Sequence, residues 1–493
     1  MKICFVTSEC APFVKTGGLG DVSRALPRAL AKMGCEVKVF LPLYRQISTR
    51  DHRLSLCEKL HPLSSQVGDR RFDFRVWFKK EKGLNLEYYF IDCPYYYHRQ
   101  DVYTADADED ERFILLQDAV FQVLDRLAFS PDILHCNDWQ TALVPVFLKE
   151  KYNHNPLFAR TKSLLTIHNI GYQGKFAPES IRKAGLPEHH YYPGGPFEFF
   201  HTFSFLKAGI VFADIINTVS PTYAKEIQTP EYGAGLDGVL RSRKESLFGI
   251  LNGIDTRLWN PRTDPYIPYH YSLRTLSHKQ KNKDYLLDRI GSRFDPQVPT
   301  VGMVTRLAFQ KGIDLLEPIL SMITELPLQW IILGTGEERY ESFLRWASET
   351  YPQKIYANIA FDNELAHLIT AGCDMFLMPS RYEPCGLNQM YSLNYGTVPI
   401  VRKTGGLADT VFDATENGGR GNGFTFDNFD PHSLYQAITR ALKTFEDKSY
   451  WKTLMKRGMR ADFSWDRSAR DYMALYEKVL PHFGTRDAGS AAA

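Results

Sequence analysis

The chain has 493 residues, enough for two or three domains with large cores. Lys and Arg total 59 against 57 Asp and Glu, and the resulting net charge of +2 excludes a surface built to coat nucleic acid while leaving room for local basic pockets that hold a small anion. Its 44% hydrophobic and 24% charged residues are ordinary globular composition, and no stretch approaches the roughly 18 uncharged apolar residues that would read as a membrane-spanning helix.

In chain order, residues 2–6 form a short apolar run that reads as a buried strand, too short for a secretory signal. A glycine-rich loop follows. Val22, Leu26, Ala29, Leu30 and Met33 then recur at helical spacing, and Gly34 closes the helix. Further strands are expected at 37–42, 86–91, 133–135, 163–168 and 215–219, with a helix from about 112 to 128. The second half restarts the alternation, with strands expected at 300–305, 329–333, 354–359, 375–379 and 398–401. Strand–helix alternation predicts α/β architecture with parallel sheets covered on both faces. Residues 255–278 are rich in Pro, Tyr and Asp without a period and read as connector. The boundaries expected are 1–248 for a first Rossmann-like domain, 249–462 for a second, 463–480 for a helix returning to the first, and 481–493 for a flexible tail.

The eight cysteines, Cys4, Cys10, Cys35, Cys57, Cys93, Cys136, Cys373 and Cys385, include no CxxC pair, so zinc-ribbon and thioredoxin-like chemistry is excluded. Several lie in apolar runs, as buried thiols of a cytosolic protein do. No Arg- and Ser-rich transit segment is visible, and a cytoplasmic protein is expected, or a plastid stromal one from a plant or alga.

An internal echo is the most informative feature. Lys15-Thr16-Gly17-Gly18-Leu19-Gly20-Asp21 and Lys403-Thr404-Gly405-Gly406-Leu407-Ala408-Asp409 agree at six of seven positions. Each follows an expected strand and precedes a helical pattern. Ligands of open α/β sheets bind at that edge, and glycines beside a helix N-terminus suit a phosphate. A tight turn with a solvated lysine accounts for one such loop, less readily for two. Arg306 and Lys311, five apart on a post-strand loop, are placed to converge on a diphosphate, although an ordinary basic turn reads alike. Glu383 follows the strand at 375–379 and precedes a helix, whose N-terminus is expected to keep it ionised; helix capping is the plainer role. Gly334-Thr335-Gly336-Glu337 ends another strand of that sheet. Asp138 and Trp139 end one strand and His168 the next, where a carboxylate and an aromatic suit a sugar. A His135/His168 metal pair lacks a third ligand at matching spacing. Asp106-Ala107-Asp108 resembles a metal–diphosphate signature but reads better as a solvated helix start.

These residues resemble the bacterial glycogen synthases and plant starch synthases, the ADP-glucose-dependent α-1,4-glucan synthases. The resemblance runs from Lys2 to about Leu480 through KTGGLGDV at 15–22, HCNDW at 135–139, TIHNIGYQG at 166–174, LNGID at 251–255, TRLAFQKG at 305–312, PSRYEPCGL at 379–387 and YGTVPIVRKTGGLADTV at 395–411. It implies the glycosyltransferase type B fold, two Rossmann-like domains facing a deep cleft, with retention of configuration and no catalytic metal or other cofactor. Lys15, Gly17 and Gly18 would contact the donor diphosphate. Arg306 and Lys311 would stabilise the departing ADP, and Glu383 would lie against the donor glucose. His168 would hold the sugar; Asp138, Trp139, Asn252 and Asp21 would shape the glucose and acceptor sites. Thr404, Gly405 and Gly406 would donate hydrogen bonds to the donor, Gly386 and Leu387 would join them, and Phe361 would line the adenine pocket. Asn137 stands where the family often has His, and Tyr382 where it often has Phe. The partners implied are ADP-glucose and an α-glucan, with no nucleic acid and no membrane. The rivals are a related transferase using UDP-glucose and a catalytically silent glucan-binding paralogue. The first glycine loop is expected to complete the site only on closure, so that Lys15 matters more to turnover than to ADP affinity.

Overall fold

The computed structural model describes residues 1–291, 293–416 and 420–480, so the tail expected at 481–493 lies outside the described residues. The chain divides into two compact units. One holds residues 1–219, 224–250 and the chain from Trp465 onward; the other holds Ser220–Tyr223 and Leu251–Ser464.

In the first unit, parallel strands run in the spatial order Leu247–Gly249, Ile215–Thr218, Lys162–Ile167, Ile133–Asn137, Lys2–Val6, Glu36–Pro42 and Leu86–Asp92. The central strands are buried on both faces (Ile3, Cys4, Phe5 and Val6 are all 0% exposed), which is why they read as continuous apolar runs. Antiparallel strands Arg70–Lys80, Leu63–Val67 and Ser55–Leu56 extend the Leu86–Asp92 edge. The sequence reading missed them, although Phe72, Phe74 and Val76 alternate with exposed Arg71, Asp73 and Arg75 at the period of two that marks a half-buried strand. A separate small sheet pairs Lys175–Phe176, Thr202–Ser204 and Glu198–Phe199.

The helix Gly18–Lys32 buries Val22, Leu26, Ala29 and Leu30, but Met33 lies beyond its end, 43% exposed. The helix expected from 112 spans Glu109–Arg126, because Glu109, Asp110 and Glu111 supply the acidic first turn that a helix N-terminus favours. The last helix, Trp465–Val479, buries Tyr472 and Tyr476 completely in the first unit. The Tyr476 hydroxyl meets His135 Nδ1 at 2.7 Å, and Asn217 Nδ2 donates to the Tyr472 hydroxyl at 2.9 Å.

The second unit has six parallel strands in the order Ile355–Asn358, Gln329–Leu333, Thr300–Val304, Met375–Met378, Val398–Arg402 and Phe424–Phe426. Numbered within the unit, that order is 3-2-1-4-5-6, the doubly wound arrangement, and the first unit's parallel strands follow it with a seventh, Leu247–Gly249, added beyond the sixth. Ligands of such sheets bind where the order reverses, at the carboxyl ends of strands 1 and 4. In the first unit these are Lys2–Val6 and Ile133–Asn137, and in the second Thr300–Val304 and Met375–Met378.

Ser220–Tyr223 departs from the expected boundary. The Asp409 carboxylate accepts the Ser220 hydroxyl at 2.6 Å, the Thr222 hydroxyl at 2.6 Å and the Thr222 N–H at 2.9 Å, which ties this short segment to the second unit. No helix among the described residues is long and apolar enough to cross a membrane.

Candidate active site

At the second unit's switch point, the loop after Thr300–Val304 carries Arg306 and Lys311, and the loop after Met375–Met378 carries Ser380 to Gly386. Lys311 Nζ donates to Glu383 Oε2 at 2.6 Å, and the Ser380 hydroxyl donates to the same oxygen at 3.0 Å. Glu383 is only 6% exposed, so the pair is poorly screened. Arg306 is exposed, and although its carbonyl accepts the Ala308 N–H, its guanidinium has no protein partner among the described residues. The two cations expected to act alike therefore differ, one being neutralised by Glu383 and the other free. The helix after Glu383 starts only at Asn388, so the Lys311 ammonium, rather than a helix N-terminus, is the counter-charge beside this carboxylate. The loop is braced by side-chain contacts. The Arg381 guanidinium lies 4.0 Å from the Phe309 ring centroid and 3.8 Å from that of Phe429, and pairs with Asp314 at 2.8 Å. Glu337 accepts the Phe309 N–H at 2.9 Å.

The two glycine loops are not topological equivalents. The first follows strand 1 of its unit and the second follows strand 5 of the other. In the second, the Gly406 N–H donates to the Glu383 and Pro384 carbonyls at 3.1 and 3.2 Å. A Cβ on Gly405 would stand 1.9 Å from the Glu383 carbonyl oxygen, and one on Gly406 2.0 Å from that of Cys385. These glycines let one backbone press against another, and Gly406 has no spare N–H for a ligand, contrary to expectation. Thr404, 1% exposed, and Gly405 are buried beside them. Gly386 and Leu387 are partly exposed between Glu383 and the helix. Phe361 is 91% exposed, just before the helix Asn363–Gly372. Asn252, expected at the sugar, belongs to the second unit, where its backbone hydrogen-bonds the Cys385 thiol and its buried Oδ1 has no partner.

In the first unit, Lys15, Gly17 and Gly18 are exposed, and neither glycine has a heavy atom within 4 Å of where a Cβ would stand. Lys15 pairs with Asp21 at 2.7 Å. The loop's shape comes from Glu9, a residue sequence reasoning missed. Its carboxylate is 3% exposed and accepts the Thr16 N–H and hydroxyl, both at 2.6 Å, the Gly17 N–H at 3.1 Å and the Tyr103 hydroxyl at 2.6 Å. The Gly17 N–H, expected to face a diphosphate, is therefore already bonded. Only the pairing of an acid with a Thr-Gly seven residues on could have flagged Glu9, and that signal is weak.

Asp138 has φ of 57°, unusual for a non-glycine residue and frequent at functional sites. Its Oδ1 accepts the His168 N–H at 2.7 Å. Burial raises its pKa to about 7 against the pull of the His168 and Asn169 N–H groups. Burial also lowers the His168 pKa to about 3, which keeps the imidazole neutral. Asn137 fixes its tautomer. Asn137 Nδ2 donates to the Val6 carbonyl at 2.9 Å, which leaves Oδ1 to face His168 Nε2 at 3.0 Å. Nε2 therefore carries the proton, and Nδ1 is an acceptor. Trp139 is 9% exposed, packed against Phe113, Phe176 and Phe205 at centroid distances of 5.0, 5.4 and 6.2 Å. It props the small sheet rather than offering an open face to a sugar.

Two metal readings find no support in the geometry. Both nitrogens of His135 are engaged, by Tyr476 and by Thr166 at 2.8 Å. Asp106 and Asp108 both pair with Arg99, at 2.8 and 2.5 Å.

Each unit thus places charged and polar groups at its own switch point. The second combines a free cation with a buried ion pair, and the first combines a lysine loop with a buried carboxyl that holds the N–H of the neutral His168 at the end of the neighbouring strand. The family model for the starch synthase catalytic domain matches residues 2–242, and that for glycosyl transferases group 1 matches residues 287–455. The chain is 46% identical to glycogen synthase from Thermotoga maritima over 489 residues, covering 98% of this chain and all of that protein. The catalytic domain of starch synthase IV from Arabidopsis thaliana, solved with ADP and acarbose, superposes with a TM-score of 0.88 at 33% identity, covering 97% of this chain and 99% of that one. Sucrose-phosphate synthase from Thermosynechococcus elongatus, at 18% identity and a TM-score of 0.59, shares the fold. The protein is a glycosyltransferase of the type B fold. It belongs to the glycogen and starch synthase family, whose activity is glucosyl transfer in glycogen or starch synthesis.

Proposed function

We propose that the protein transfers glucose from ADP-glucose to the non-reducing 4-hydroxyl of an α-1,4-glucan, with retention of configuration. The observation that carries this reading is the Lys311–Glu383 pair at a switch point, on whose first loop the Arg306 guanidinium has no partner among the described residues. Breaking the glucose C1–O bond puts negative charge on the diphosphate and positive charge on the sugar ring. Arg306 and Lys311 meet the first, and Glu383 offsets the second. The acceptor O4 bonds to C1 on the face the diphosphate leaves, and its proton passes to a departing phosphate oxygen. Glu383 has one oxygen already bound by Lys311 and Ser380, which favours a charge-stabilising role over a nucleophilic one. Because side-chain cations meet the leaving-group charge, the reading assigns catalysis to no metal. Phe361, almost fully exposed, is the ring offered to the adenine.

Incubation with ADP-glucose or UDP-glucose, glycogen and EDTA, followed by linkage analysis, tests this reading. α-1,4-Linked product from ADP-glucose, undiminished by EDTA, is expected. Product from UDP-glucose alone reassigns the donor, and silence with both donors leaves a glucan-binding protein.

A further inference from the structure

The hairpin joining Glu198–Phe199 to Thr202–Ser204 turns through two residues, since Phe199 pairs with Thr202. Both turn residues have positive φ, 48° at Phe200 and 64° at His201. Two-residue hairpin turns of that hand are made for Asn-Gly or Asp-Gly. A bulky ring there is a steric outlier, and such outliers gather at ligand clamps. Phe200 is also 75% exposed, so it costs stability through its backbone and gains little from burial. The turn is nevertheless well built. The Glu198 carboxylate accepts the His201 N–H at 2.9 Å and the Gly194 N–H at 3.0 Å. That carboxylate ties the turn to the loop bearing Tyr192, itself 56% exposed. Phe199 stands edge-on behind Phe200, at 4.8 Å and 82°. The same small sheet continues from His168 by way of Tyr172, 60% exposed, and rests on Trp139 through Phe176.

We propose that Phe200, backed by Phe199, is a stacking platform for glucose units of the acceptor glucan, separate from the reacting residues. A pyranose has an apolar C–H face for the rings and a hydroxyl edge for Glu198 and His201, a combination that neither a purely apolar nor a purely anionic partner matches. A polymeric acceptor has units beyond its reacting end, and holding them raises the local concentration of that end. The inference rests on the reading of the protein as a glucan glucosyltransferase.

The test is the double variant Phe200→Asn/His201→Gly, which gives the turn its preferred residues and removes the ring. The fold is retained and Tm rises, by roughly 2–4 °C for each kcal/mol of strain relieved. The dissociation constant for glycogen, read by affinity electrophoresis, rises roughly 2- to 10-fold, the range of one aromatic contact. Turnover with saturating maltotriose stays at the wild-type value. Glycogen affinity equal to wild type overturns the platform while leaving the proposed activity intact. Wild-type protein that transfers glucose to no glucan overturns the activity itself.

Discussion

Lys311 and Glu383 neutralise each other at 2.6 Å, and that decides what a substitution at either position does. Lys311→Ala removes a donor to the leaving group and should lower kcat by more than about 100-fold, as loss of a preorganised oxyanion donor does. It also strands a carboxylate that is 6% exposed, at about 1–3 kcal/mol of stability. The double variant Lys311→Met/Glu383→Gln should regain most of that stability without regaining turnover. Chemical denaturation beside steady-state kinetics checks both halves, and near-wild-type kcat in Lys311→Ala would sink the leaving-group assignment. Asp138 gives a pH signature. Its carboxyl titrates near 7 in the fold against a usual 3.8, so the folded state holds the proton more tightly than the unfolded chain. Stability tied to this group is therefore fully present below about pH 4 and is lost as pH rises toward 7, by up to about 4 kcal/mol. Asp138→Asn keeps an acceptor for the His168 N–H and removes the charge. Its stability advantage over wild type should be small at pH 4, grow to about pH 7 and then level off, while activity falls. An advantage independent of pH would contradict the buried-carboxyl account.

At the scale of elements, two loops with nearly the same sequence do different work. The second lies against the backbone of Glu383 to Cys385, with room for no Cβ at Gly405 or Gly406; the first is shaped by Glu9 and leaves open space at Gly17 and Gly18. Gly405→Ala and Gly406→Ala should therefore lower Tm and activity together, because each displaces the chain that carries Glu383. Gly17→Ala and Gly18→Ala should leave Tm within a degree or two of wild type, since Gly17 has φ of −150° and Gly18 opens a helix. They should still raise KM for the donor if the phosphates occupy that space. Thermal melts and donor titrations on the four variants separate the cases, and a Gly17→Ala enzyme with unchanged kinetics would remove the first loop from the donor site. The shared sequence was legible and correctly pointed to strand ends. The division of labour was not, because it depends on carbonyls some twenty residues away in one loop and, in the other, on a nearby Glu9 that no recognisable motif marks.

Across the whole molecule, the parallel strands other than the edge strands Leu247–Gly249 and Phe424–Phe426 were legible because burial on both faces leaves continuous apolar runs, and Lys15, Arg306, Lys311, Glu383 and Asp138, among the residues singled out, lie at switch points. The antiparallel edge, the small sheet and the exchange of Ser220–Tyr223 were not, since short strands and a segment held by Asp409 carry little periodic signal. The last helix shows how distant parts of the chain fix one unit. Tyr476 and Tyr472 reach His135 and Asn217, on two strands of the first unit's sheet, from the far end of the sequence. His135 is fully buried and burial holds it neutral, so its Nδ1 depends on the Tyr476 hydroxyl. Tyr476→Phe leaves that nitrogen without its partner in the interior, at about 1–3 kcal/mol. A chain of two units need not melt in one step. Calorimetry of Tyr476→Phe should therefore show a transition moved down by a few degrees, with any transition belonging to the second unit left in place. Equal shifts of every transition would mean that the helix stabilises the molecule as one cooperative body, and no shift would mean that the His135–Tyr476 bond contributes nothing to holding the helix.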